Sequence, residues 1–127
     1  MYDYYVNSRF QIQGLNPGLT YTLTLFGSHK YNDNNTTRYT VYSDSTYSVP
    51  VASADLVVGV NDAHNQDTVA VISGVSPQAS NILYIGFAGA GGGSGYLNAL
   101  QITAVPEPST LLLMIGGVGL VCGFRRR

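Results

Sequence analysis

Cysteine is almost absent from the chain, and charge is scarce. The single thiol, Cys122, makes no intrachain disulfide and belongs to no cysteine-based metal or redox motif. It lies in an apolar stretch and is read as a filler residue. Charged residues make up only 10% of the 127 positions. Up to residue 104 the cations are Arg9, Lys30 and Arg38, set against Asp3, Asp33, Asp44, Asp55, Asp62 and Asp67. So few cations cannot neutralise a run of phosphates, which excludes nucleic acid as a partner. Helical periodicity is also missing before residue 110. The opening Met1-Tyr2-Asp3-Tyr4-Tyr5-Val6 has neither the basic start nor the apolar run of a secretory signal.

What is present is the rhythm of strands. Leu19-Thr20-Tyr21-Thr22-Leu23-Thr24-Leu25-Phe26 puts apolar or aromatic residues at odd positions, and threonine at even ones until Phe26. A period of two with β-branched and aromatic content is that of a strand with one buried face. Phe10–Ile12 leads into it through Leu15-Asn16-Pro17-Gly18, where proline presets one turn dihedral and glycine supplies a positive φ. Further strands are expected at 36–43, 47–52, 56–60, 68–73, 81–87 and 96–103. Turn residues recur about every ten positions, the spacing of a sandwich or jelly roll. The glycine cluster 89–95 reads as a flexible connection. The pattern apolar-x-Gly-apolar-polar-Pro occurs twice, at Ile12–Pro17 and Ile72–Pro77, and reads as one turn solution used at two strand exits.

The last residues differ from all of this. In Val105-Pro106-Glu107-Pro108-Ser109 two prolines flank one residue, which excludes a regular helix or sheet interior and favours an extended, exposed segment. Residues 110–124 are uncharged and apolar, and Arg125, Arg126 and Arg127 follow at once. A helix over those fifteen residues would be about 22 Å long, against about 30 Å of hydrocarbon, so it would span with help from snorkelling arginines and local thinning. Its eight Leu, Ile, Val and Phe residues favour insertion by roughly 2 to 5 kcal/mol. A core helix of so small a domain would show a polar face, and this one shows none. Arginine clusters stay cytoplasmic, so the rest of the chain is expected outside. Export needs a leader, and the start of the chain is therefore expected to be truncated.

Taken in order, Val105-Pro106-Glu107-Pro108-Ser109, a short apolar helix and a closing basic cluster resemble the PEP-CTERM sorting tail, also labelled the C-terminal domain of ice-binding proteins. The resemblance implies recognition at Pro106, Glu107 and Pro108 by an exosortase, a membrane cysteine protease-transpeptidase. It also implies a Gram-negative host with an exopolysaccharide or biofilm system. Gly14–Ser28 and Gly95–Ile102 resemble the galactose-binding-like or fibronectin type III-like ectodomains found before such tails.

The expected organisation is an all-β, antiparallel β-sandwich or jelly roll over 1–104, a linker and sorting motif over 105–109, a single transmembrane helix over 110–124 and a basic end over 125–127. The expected function is that of an exported surface or matrix protein. It is anchored in the inner membrane by one pass with its domain periplasmic, and is released to the cell surface after processing. Its partners are the exosortase, the bilayer and an exopolysaccharide. No enzyme motif is present. His29, Asp33 and Ser28 crowd one short loop and read as solvated, as does His64. Two oxygen-rich loops, with Asp33 and Asn35 in one and Asp62 and Asp67 in the other, are candidate calcium ligands, although Asn and Asp are also turn formers. Tyr31, Tyr39, Tyr42 and Tyr47 are candidates for stacking on sugar rings. They underlie the alternative function, a carbohydrate-binding module, accessory to a hydrolase lying upstream.

Overall fold

A computed structural model describes residues 5–29, 34–61 and 63–106. Glu107, Pro108, Ser109, the helix expected over 110–124, Arg125–Arg127, Asp33 and Asp62 lie outside the described residues. The described residues form ten strands: β1 (Tyr5–Val6), β2 (Arg9–Ile12), β3 (Leu19–Phe26), β4 (Asn34–Tyr42), β5 (Pro50–Val60), β6 (Ala63–His64), β7 (Ala70–Val75), β8 (Leu83–Gly89), β9 (Tyr96–Leu97) and β10 (Ala99–Pro106). One 3-10 turn, Ala79–Asn81, is the only helical element among them. Every strand pair is antiparallel. One sheet runs β2-β8-β4-β5-β6, a second β10-β3-β7, and β1 pairs with β9.

Strand β3 follows its alternation. Tyr21, Leu23 and Leu25 are buried, while the threonines between them are half-buried. Those three join Tyr39 and Val41 of β4, Leu56 and Val58 of β5, Ile72 of β7 and Leu83, Ile85 and Phe87 of β8 in one hydrophobic cluster. The five- and three-stranded sheets thus share a core, and each fully buried aliphatic side chain in it is worth about 1.5–3 kcal/mol. The repeated glycine pattern is a shared turn solution, since Gly14 has φ +72° and Gly74 φ +69°. A side chain there would be strained.

Other expectations shift. The two strands expected at 47–52 and 56–60 are one, β5. Ala52 and Ala54 point inward and Ser53 and Asp55 outward, so the period is kept while the small inward residues hide it. Tyr47 lies in the turn before it, with φ +52°. Strand β8 starts two residues late because Ser80 and Asn81 take φ of +62° and +61°. The strand expected over 96–103 divides at Asn98, whose side-chain oxygen accepts the Ser28 N–H at 2.8 Å. Beyond the break, β10 pairs with β3 as far as Pro106 opposite Leu19, two residues past the expected domain end. An edge strand tolerates a proline at its last position. The glycine-rich connection is anchored by hydrogen bonds: Asn7 Oδ1 accepts the Gly95 N–H at 2.6 Å, and Asn35 Nδ2 donates to the Ser94 carbonyl at 3.0 Å.

Candidate functional site

The structure separates the sequence-derived candidates into three groups. The first is the sorting segment. Val105 is exposed, and its carbonyl accepts the Thr20 hydroxyl at 3.3 Å. Pro106 closes the β3–β10 ladder opposite Leu19. Among the described residues no helix is long and apolar enough to cross a membrane.

The second group is the oxygen-rich loops. Asn34 lies opposite Val60, so the start of β4 and the end of β5 lie at the same end of the sheet. Asn35 spends its amide on Ser94. Asp67 is exposed and accepts a long, 3.4 Å bond from the Thr68 hydroxyl. Asn65 is committed to its turn, accepting the Thr68 N–H at 3.0 Å and donating to the carbonyls of Gly27 (3.0 Å) and Thr68 (2.6 Å). Among the described residues no group of three or more His, Cys, Asp or Glu converges. The loop expected to be solvated is only partly so. Ser28 is buried, and the half-buried His29 ring stacks on Tyr96 with centroids 4.1 Å apart. His64 is exposed, as expected.

The third group is the tyrosines, and here the strand phase decides. Tyr39 shares its phase with Thr37 and Val41 and is fully buried, so it is unavailable to any ligand. Its hydroxyl donates to the Tyr96 carbonyl at 2.5 Å, and burial pushes its phenol pKa upward. Tyr42 takes the opposite phase, with Arg38 and Thr40, on the outer face of the five-stranded sheet. There it lies opposite Tyr84 of β8. Tyr47 folds back over this face. Its ring meets Tyr42 edge-on at 5.6 Å and Tyr84 at 5.9 Å, and its hydroxyl donates to the Phe10 carbonyl at 3.2 Å. The Arg9 guanidinium lies over the Tyr47 ring, 5.2 Å from its centre. Tyr31 is outside the described residues.

Beside this cluster is a cleft of about 510 Å³ lined by Arg9, Arg38, Thr40, Tyr42 and Gly86, among others. A second hollow of about 600 Å³ is lined by Arg38, Thr40, Tyr42, Pro50, Ser53 and Asp55. They share Arg38, Thr40 and Tyr42, so one groove crosses the outer face from β2 to β5, about 14 Å at the usual strand spacing. Arg38 forks onto Asp55 (Nε–Oδ1 2.9 Å, Nη2–Oδ2 3.0 Å). The hydrogen bonds from Arg38 hold the Asp55 carboxyl below its usual pKa. Sequence reading by residue type passed over Arg9, Arg38, Tyr84 and Gly86. The available signal was Arg38 itself, because an arginine fixes the solvent phase of its strand and so assigns Tyr42 outward and Tyr39 inward.

Residues 104–127 match the family model of the PEP-CTERM protein-sorting motif. No curated protein and no solved structure matches the chain. The motif marks a membrane-anchored, exported protein directed to an exosortase.

Proposed function

We infer that this chain, which carries a PEP-CTERM sorting signal at residues 104–127, is a single-pass surface or matrix protein. A non-catalytic β-sandwich is held on the outer side of the inner membrane until an exosortase acts at Pro106-Glu107-Pro108. The motif match is the observation that carries this reading. Supporting it, the uncharged run 110–124 ends in three arginines, which stay on the cytoplasmic side. The sandwich is supported by two antiparallel sheets that feed one core. Because the β3–β10 ladder reaches Pro106, the domain has no spacer before the motif and rides close to the lipid surface. Replacing Pro106, Glu107 and Pro108 together by alanine in the native host, with Pro106→Ala alone as the control for the strand end, tests the reading. The triple variant should stay membrane-bound and uncleaved. Release equal to that of the wild type would overturn it.

A second reading assigns glycan binding to the domain. It is favoured by the tyrosine-flanked groove, because aromatic faces pack on the apolar faces of sugar rings while hydroxyl and carboxylate groups take the sugar hydroxyls. Retention on immobilised polysaccharides tests it. A protein that passes through every matrix unretarded would sink it.

A further inference from the structure

We propose that the groove on the outer face of the five-stranded sheet selects acidic glycans, and that Arg9 is the residue that binds the uronate carboxylate. The proposal rests on the glycan-binding reading above and names its substrate class.

Arg9 and Arg38 are the only Lys or Arg side chains among the described residues, and both line the same cleft. Their placement concentrates positive charge on one face of a domain whose other described charges are acidic. The two arginines are not equivalent. Arg38 is neutralised by Asp55 through two hydrogen bonds. Arg9 makes no ion pair among the described residues, and its guanidinium is held over Tyr47. Stacking on an aromatic ring leaves the edge N–H donors of a guanidinium facing outward, and their planar fork matches a carboxylate.

Gly86 keeps the floor of the cleft open. A Cβ there would sit 3.0 Å from Tyr42 Cε2 and 3.6 Å from Arg9 Cγ, in the space between the ring and the charge. The half of the groove beyond β4 offers the hydroxyls of Thr40 and Ser53 and the internally paired Asp55, groups suited to neutral hydroxyls. Among the described residues one cation outside any ion pair, an aromatic wall and a run of neutral polar groups fit a carboxylate-bearing sugar flanked by others. A polyphosphate would need several unpaired cations.

The full-length protein in detergent micelles would be titrated calorimetrically with oligogalacturonate, oligomannuronate and oligoguluronate, and with the carboxyl-reduced form of each. At least one oligouronate should bind at least tenfold more tightly than its reduced form, and added salt should weaken that binding. Arg9→Gln should abolish the preference, weakening the acid form at least tenfold more than the reduced form, with a cooperative thermal transition confirming that the variant is folded. Gly86→Val, which fills the floor, should lose both ligands. Acid and reduced forms binding equally, or Arg9→Gln keeping the preference, would overturn this inference and leave the glycan-binding reading standing. Absence of binding by every oligosaccharide would overturn both.

Discussion

Replacing Tyr39 by phenylalanine removes a single oxygen from the middle of the molecule, and the structure says what that oxygen holds. Thr37 and Tyr39, both fully buried on β4, satisfy the two backbone polar groups of one residue of β9. The Thr37 hydroxyl oxygen accepts the Tyr96 N–H at 3.0 Å, and the Tyr39 hydroxyl donates to the Tyr96 carbonyl at 2.5 Å. Strand β9 has two residues and, among the described residues, pairs with the two residues of β1 alone, so these side chains are a large share of its attachment to the sheet. Phenylalanine fills nearly the same volume, which makes the packing loss small. The cost is the buried carbonyl left without its donor, about 1–3 kcal/mol. A loss of about 2 kcal/mol corresponds to about 8–16 °C in the melting temperature of a domain of this size. Scanning calorimetry on the full-length protein in micelles at neutral pH measures it.

Titration gives a second readout for the same variant. Burial raises the phenol pKa of the folded state above its ordinary value of 10.0. Residue 39 therefore contributes stability that is fully present below about pH 10 and is lost as the pH rises beyond it. The difference in stability between wild type and variant should shrink above pH 10. Thr37→Val combined with Tyr39→Phe should be non-additive, since both act on Tyr96. A melting temperature within about 2 °C of the wild type would refute the reasoning, because removing the hydroxyl that donates to a buried carbonyl cannot cost so little.

Other outcomes can be checked in the same preparation. Gly27→Ala would drive a Cβ into the Tyr39 hydroxyl and the Tyr96 carbonyl, with Val58 Cγ1 at 3.0 Å, so it should destabilise by about 1–3 kcal/mol; an unchanged denaturant midpoint would contradict that packing. Asp55, held below its usual pKa by hydrogen bonds from Arg38, contributes stability present above about pH 4 and lost as the pH falls through its lowered folded value. Asp55→Asn should therefore flatten the acid limb of a pH series of denaturant midpoints slightly, because the pair is solvent-exposed. An unaltered acid limb would show the pair to be energetically silent.

Local chemistry made much of this protein legible from its residues. The Thr-Tyr-Thr-Leu alternation of β3, the two positive-φ glycines at matching strand exits and the sorting tail each depend on neighbours close along the chain. A tail of two prolines, an uncharged run and three arginines is recognisable without any fold, because a sorting motif is carried by one short contiguous stretch. Strand β5 was harder, since alanines on its inner face mimic a break, and the end of β10 was hidden because proline stops a strand only where its missing N–H is needed.

The groove depended on the pairing of distant strands. Arg9 and Gly86 meet because β2 pairs with β8, and Tyr42 lies opposite Tyr84 because β4 pairs with β8. Tyr47 closes over them only because its turn takes a left-handed backbone. The amino-acid sequence determined by itself the alternation of β3, the turns at Gly14 and Gly74 and the sorting motif, since each is a property of a short stretch. The tertiary structure alone decided which tyrosines meet one another and which cations share a cleft, because cross-strand neighbours are set by the pairing of strands distant along the chain.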